Sequence, residues 1–233
     1  MTIDRALLVV AKQPVPGQTK TRLCPPLTHA QAADLYECFL RDTLDTMRTV
    51  MKVKAIIGYL PDDAQEYFRQ LAPDMELIGQ LGETLGERLD HLLKVTLNNG
   101  FQQAVIMDSD SPTLPASYLI QAFDQLAEAD VVLGPTRDGG YYLIGAKRPQ
   151  SQLVRQVQMS TPHVLSDTLK LAKAIGITIA LLPIWYDVDN ISDLFHLDRE
   201  IKHQADKGIA PATRQWLEQT DWHDHRDRKW PFR

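Results

Sequence analysis

Ala6-Leu7-Leu8-Val9-Val10-Ala11 is an unbroken apolar run, too short for a helix and β-branched toward its end. A strand of this kind has no polar face to leave in water, so it must be covered on both sides. Ala104-Val105-Ile106-Met107, Val131-Val132-Leu133 and residues 177–182 repeat the pattern. Further strands are expected at residues 53–59, at Glu76-Leu77-Ile78, and where Gly139-Gly140 turns into Tyr141-Tyr142-Leu143-Ile144. Between them apolar residues recur at helical spacing. Thr28 opens one helix, with Gln31 at the capping-box position and Ala32, Tyr36, Phe39, Leu40, Thr43 and Met47 along it. Asp62 can cap a short helix containing Tyr67, Phe68 and Leu71, and residues 84–97 form a helix stopped by Asn98-Asn99-Gly100. A helix follows Pro115 to about Ala129, another starts at Thr161-Pro162 and ends near Gly176, and the last runs from Ile191 to about Asp206. Buried strands alternating with helices imply an α/β sandwich around a mostly parallel sheet, with ligands gathered at the carboxyl ends of the strands.

The 233 residues carry 25 Lys plus Arg and 30 Asp plus Glu, a formal charge of −5, which argues against a dedicated nucleic-acid binder. With 44% hydrophobic and 24% charged residues the chain has a globular composition and enough length for a proper core. Its apolar runs fall far short of a membrane span, and the N-terminus lacks the apolar region of a signal peptide, so a cytoplasmic protein is expected. Cys24 and Cys38 have neither the spacing of a redox pair nor Cys/His partners at zinc spacing. One domain over residues 1–210 is expected, with a C-terminal tail at 211–233. The tail's His223, His225, Arg226, Arg228, Lys229, Trp230 and Phe232 read as a solvated segment with its aromatics docked on the body.

Each chemistry-bearing motif follows an expected strand. Lys12-Gln13-Pro14-Val15-Pro16-Gly17-Gln18-Thr19-Lys20-Thr21-Arg22 offers three cations, a glycine for close backbone approach and two prolines that stiffen the loop. That suits a diphosphate, although the order of a Walker loop is missing. Asp108-Ser109-Asp110 places two carboxylates together; at about 5 Å they repel by roughly 3 kcal/mol at an effective dielectric of about 20, so a cation belongs between them. Mg²⁺ or Mn²⁺ is the natural candidate. In Gly134-Pro135-Thr136-Arg137-Asp138-Gly139-Gly140, the tandem glycines can hold Asp138 against a ligand's hydroxyl groups, or simply form a hairpin turn. Asp187-Val188-Asp189 reads as a second metal arm or as the cap of the helix from Ile191.

Taken in order, Ala11-Lys12-x-Pro14-x-x-Gly17-x-x-Lys20-Thr21-Arg22-Leu23, Asp108-Ser109-Asp110-Ser111-Pro112, Gly134-Pro135-x-x-Asp138-Gly139-Gly140-Tyr141-Tyr142 and Asp187-Val188-Asp189 resemble a bacterial family. It is the glycosyltransferase-A-type family of domain of unknown function 2064, known as arsenosugar-biosynthesis-like glycosyltransferases, related to nucleotide-diphospho-sugar transferases and guanylyltransferases. The resemblance implies a single-domain glycosyltransferase-A fold, a Rossmann-like three-layer sandwich with a mostly parallel mixed sheet. It implies an enzyme that moves a sugar from a nucleotide-diphosphate donor to a small acceptor, using Mg²⁺ or Mn²⁺. Nucleotidyl transfer from a nucleoside triphosphate to a phosphorylated small molecule is the alternative, and a non-catalytic nucleotide binder the second. By the same resemblance Ala11, Lys12, Pro16, Gly17, Lys20 and Arg22 bind the nucleotide, and Asp108 and Asp110 match a metal-binding D-x-D; Asp187 and Asp189 stay open between a further metal arm and the helix cap. Gly139, Gly140 and Tyr141 line the sugar or acceptor side, and Asp138 is the catalytic candidate.

Overall fold

The computed structural model describes residues 3–206 and 208–222. The tail residues His223, His225, Arg226, Arg228, Lys229, Trp230 and Phe232 lie outside the described residues.

Seven strands make one sheet: β1 (Arg5–Lys12), β2 (Lys54–Leu60), β3 (Glu76–Gly79), β4 (Gln103–Met107), β5 (Val131–Pro135), β6 (Tyr141–Ala146) and β7 (Ile179–Leu181). Their spatial order is β3-β2-β1-β4-β6-β5-β7, and only β6 runs antiparallel to its neighbours. The helices are α1 (His29–Thr49), α2 (Gln65–Leu71), α3 (Leu85–Asn98), α4 (Ala116–Gln125), α5 (Ser151–Arg155), α6 (Val164–Ile175), α7 (Ile191–His203) and α8 (Pro211–Gln219). The architecture is therefore the expected α/β sandwich with a mostly parallel mixed sheet.

The continuous apolar run of β1 is explained by two cores. Leu7, Val9 and Ala11 enter the core shared with α1, α2, α4, α7 and α8, while Ala6 and Leu8 enter the core under α3, α5 and α6. Alternate side chains point to opposite faces of a strand, so a strand covered on both sides has no polar position. Among the described residues no helix is long and apolar enough to cross a membrane.

Several expectations shift in detail. Asp62 does not cap α2: it starts a 3-10 turn, Asp62–Ala64, that leads into the helix. Pro162 lies ahead of α6, whose cap position is His163. Asn190, with Asp193 in a reciprocal capping box, caps α7, so neither Asp187 nor Asp189 is needed there. Past residue 210, where the sequence suggests a tail, α8 packs on α1 and Trp222 is buried. The α8 cap position, Ala210, is left-handed and cannot cap; the buried Asp42 of α1 does so instead, accepting from Ala212 N at 2.9 Å and Thr213 N at 2.8 Å.

Chain direction sets the place of the site. From β1 the chain builds outward to β2 and β3, then crosses back to lay β4 on the other side of β1. The carboxyl ends of β1 and β4 thus diverge at a topological switch, where open α/β sheets leave a crevice.

Candidate functional site

A cleft of about 680 Å³ lies at this switch, and loops from β1, β4, the β5–β6 hairpin and the segment after β7 surround it. Parallel pairing brings them together. Thr136 bridges Trp185, Trp185 N donates to Pro135 O at 3.0 Å, and Val188 N donates to Asp110 O at 2.9 Å. The last bond ties the backbones that carry Asp110 and Asp189.

Lys20 is the pivot. It is held in a left-handed conformation with φ 49°, and its ammonium donates to Val188 O at 2.7 Å and Asp189 Oδ1 at 3.0 Å, and lies 2.9 Å from Asp110 Oδ1. Its side chain is 6% exposed. Burial opposes the charge, but the Asp110 and Asp189 carboxylates outweigh it and hold the ammonium above its ordinary range. An ammonium has three donors, and here all three have protein acceptors. Lys20, expected among the phosphate ligands, is thus a strut that pins the β1 loop to two carboxylate arms. The cation expected between carboxylates is, for Asp110 and Asp189, this lysine.

Asp108 and Asp187 have no such partner. Asp108 accepts from Asp110 N at 3.2 Å and Ser111 Oγ at 3.3 Å, yet burial and the Asp110 and Asp187 charges push its carboxyl well above the usual range. Burial, then Asp189, Asp138 and Asp110, push Asp187 up to about 6. Among the described residues no three His, Cys, Asp or Glu side chains form a ready metal cage. Two under-compensated carboxylates are nevertheless a donor set that suits Mg²⁺ or Mn²⁺, which commonly take one or two carboxylates and complete their shell with water and substrate phosphate. The residues fit such an ion on that ground.

Lys12, Pro16, Gly17, Gln18, Thr21 and Arg22 are exposed in the β1 loop; Gly17, at φ 79°, does not line the cleft. Arg22 Nη1 lies 3.6 Å from Asp189 Oδ2 with its side chain 78% exposed, so most of its donors face the cleft mouth. Ala11 is buried in the strand and Pro16 is exposed in the loop; neither lines the cleft, where Lys12, Lys20 and Arg22 do.

On the other wall, Asp138 stands in the β5–β6 turn. Its Oδ1 accepts from Thr136 Oγ1 and from Gly140 N at 3.1 Å, while Thr136 N donates to Gly140 O at 3.1 Å. The residue is a turn former, as the hairpin reading expects, with one carboxylate oxygen outside the turn's bonds. Gly139 has φ 95°, and a Cβ there would lie 2.0 Å from Pro162 O. The turn must touch the segment before α6, and Leu165 N donates to Gly139 O at 2.9 Å to secure it. Tyr141 reaches Met159 Sδ at 3.6 Å on the same wall.

Tyr36 is legible in the sequence only as an apolar position of α1. Its hydroxyl accepts from Lys12 N at 3.2 Å and pairs with Ser109 Oγ at 2.7 Å, joining the ends of β1 and β4 at the cleft floor. Burial, then the Asp110 charge, push this phenol up to about 12, so it stays protonated. On a buried helix face a tyrosine reads like a phenylalanine, so nothing local signals that role.

The family model described as "Uncharacterized protein conserved in bacteria (DUF2064)" matches residues 43–161, just over half of the chain. A structure from Desulfovibrio desulfuricans G20, provisionally assigned as a nucleotide-diphospho-sugar transferase, is 30% identical and superposes with a TM-score of 0.86 over 92% of this chain and 94% of that one. The 2-phospho-L-lactate guanylyltransferase of Methanobrevibacter smithii is 27% identical over 126 residues, covering 53% of this chain; the match spans about half, 54%, of that relative's length. A cytidylyltransferase from Leptospira borgpetersenii shares the fold, with a TM-score of 0.57 at 10% identity over 92% of both chains.

Proposed function

Because the chain belongs to the bacterial DUF2064 family, whose fold here is that of nucleotide-diphospho-sugar transferases, we propose that it transfers a sugar from a nucleotide-diphosphate donor to a small acceptor. The observation that carries this reading is the convergence of the basic β1 loop with carboxylates after β4 and β7, facing Asp138 across one cleft. Lys12 and Arg22 bind the diphosphate, since they keep exposed donors at the cleft mouth. Asp108 and Asp187 hold Mg²⁺ or Mn²⁺, which when bound neutralises charge on the departing diphosphate. Lys20 keeps Asp110 and Asp189 in place. The free oxygen of Asp138 accepts a proton from the acceptor hydroxyl or orients it, with Gly140 and Tyr141 beside it. Acceptor specificity belongs to this wall.

The second reading is nucleotidyl transfer to a phosphorylated small molecule, favoured by the likeness to the guanylyltransferase. One assay separates them. With Mn²⁺ present, a panel of nucleotide sugars should yield nucleoside diphosphate in the presence of small hydroxylated acceptors. Release of pyrophosphate from a nucleoside triphosphate, with no turnover of any nucleotide sugar, would replace the first reading by the second.

A further inference from the structure

The cleft is chemically lopsided. Every lysine or arginine that lines it, Lys12, Lys20 and Arg22, comes from the β1 loop. The opposite wall is made by the β5–β6 turn and residues 159–162; among the described residues its lining includes no Lys, Arg or His, and its one charged side chain is Asp138. Arg137 is adjacent in sequence, yet its guanidinium is drawn off over the Tyr186 ring, 5.4 Å from the centroid, and lies 3.4 Å from His196 Nε2. A phosphate or carboxylate against this wall would meet Asp138 with no counter-charge, an unfavourable pairing.

The wall offers apolar surface and unspent hydroxyls instead. Leu85, Tyr141 and Met159 pack against the core under α3, α5 and α6 but are only half-buried, so the edge of that core is uncovered at the cleft. The Tyr141 hydroxyl has one hydrogen bond among the described residues, to Met159 Sδ at 3.6 Å, and a thioether is a weak acceptor. Burial pushes this phenol well above its ordinary range, so it keeps its proton to donate. Ser160 follows, exposed and at φ 62°, a conformation that serine rarely adopts.

We propose that this wall selects an uncharged hydroxyl compound with an apolar portion and excludes phosphorylated and carboxylated ones; that this ligand is the acceptor rests on the glycosyl-transfer reading. The apolar portion covers Leu85, Tyr141 and Met159, taking their surface out of water. One hydroxyl of the ligand faces the free oxygen of Asp138, and a second oxygen accepts from Tyr141. In transfer, the acceptor oxygen gives its proton to Asp138 and bonds the anomeric carbon. The bond from that carbon to the diphosphate oxygen breaks, and its electron pair leaves with the nucleoside diphosphate.

A ligand-observed NMR titration of the full chain tests this, with 1-phenyl-1,2-ethanediol as the probe. Glycerol, which lacks the apolar part, and phenyl phosphate, which adds charge, should each need at least tenfold higher concentration to displace it. Tyr141→Phe should raise the Kd of the diol about fivefold, the loss of one hydrogen bond. Met159→Lys should weaken the diol and make phenyl phosphate the better competitor; should that variant fail to melt cooperatively, the isosteric Tyr141→Phe still decides. Met51→Ala removes a side chain 77% exposed at the other end of the sheet, ahead of β2, and should leave the Kd unchanged. Absence of saturable binding, displacement by phenyl phosphate at equal concentration, parental affinity in Tyr141→Phe, or loss on Met51→Ala would each overturn the assignment. The titration uses no donor, so the two readings fail separately. Binding in the expected order without sugar transfer to the diol would support the wall's selectivity and fault the glycosyl-transfer reading; sugar transfer that prefers a phosphorylated acceptor would do the reverse.

Discussion

A buried ammonium with three protein acceptors has no donor left for a ligand, and that decides how Lys20 acts. Removing it leaves Asp110 without a cation and Asp189 with only the exposed Arg22 beside it. Lys20→Met should therefore cost about 1–3 kcal/mol, less than a fully buried broken pair, because the two carboxylates are 34% and 39% exposed and water screens them. Folding raises the lysine above its ordinary 10.5, so its contribution is complete below that value and lost only as pH rises past it. Denaturant melts should show a constant deficit from about pH 6 to about pH 9; a deficit that vanishes in that window would mean the strut is unimportant. Asp187 has the opposite consequence. Its folded carboxyl is raised from 3.8 to about 6, so the folded state binds a proton the unfolded state has released, and stability falls as pH climbs between those values. In chelated buffer Asp187→Asn should be more stable than the parent by about 1–2 kcal/mol at neutral pH, after discounting for solvent screening, and no more stable near pH 4. Asp138→Asn keeps the turn acceptor Oδ1 but cannot take a proton, so turnover should drop at least about a hundredfold with nucleotide Kd nearly unchanged. Parental turnover would reduce Asp138 to its turn role.

At the scale of elements, what the sequence could reveal was whatever is decided locally. Thr28 with Gln31 and the apolar spacing of α1 are within one segment, and the capping box is present as expected. The cap of α8 was not legible, because Asp42 lies 170 residues from Ala212, and nothing near Pro211 substitutes for it. For the same reason the motif order located the loops around the cleft, while the pairing of Lys20 with Asp189, 169 residues away, needed the fold. Asp42→Ala should remove a two-bond cap and cost about 1–2 kcal/mol, seen as faster amide exchange confined first to α8. Exchange rising uniformly across the sheet would contradict it. The close packing of the β5–β6 turn on Pro162 was likewise invisible, since Gly139-Gly140 reads the same in any hairpin.

The whole molecule gathers negative charge where it is expected to receive negatively charged phosphates. The chain is acidic overall, and Asp108, Asp110, Asp138, Asp187 and Asp189 border one cleft in which Lys20 neutralises only part of the charge. A nucleoside diphosphate entering alone meets that field; a divalent cation entering alone leaves its phosphate-side positions to water. Each should therefore raise the affinity of the other, and the coupling is reciprocal by linkage. In thermal melts with excess chelator, nucleoside diphosphate should stabilise the protein little. Mn²⁺ alone should do slightly more, and the two together should exceed the sum of the separate shifts, approaching about 2.7 kcal/mol once ligand reaches about a hundred times its Kd. Asp108→Asn should remove most of that excess while leaving the fold intact, because the variant loses one charge from a repelling set. Full stabilisation by nucleotide in chelator, or an undiminished excess in Asp108→Asn, would show that the carboxylates serve the protein's own architecture and that the phosphates are held by Lys12 and Arg22 alone.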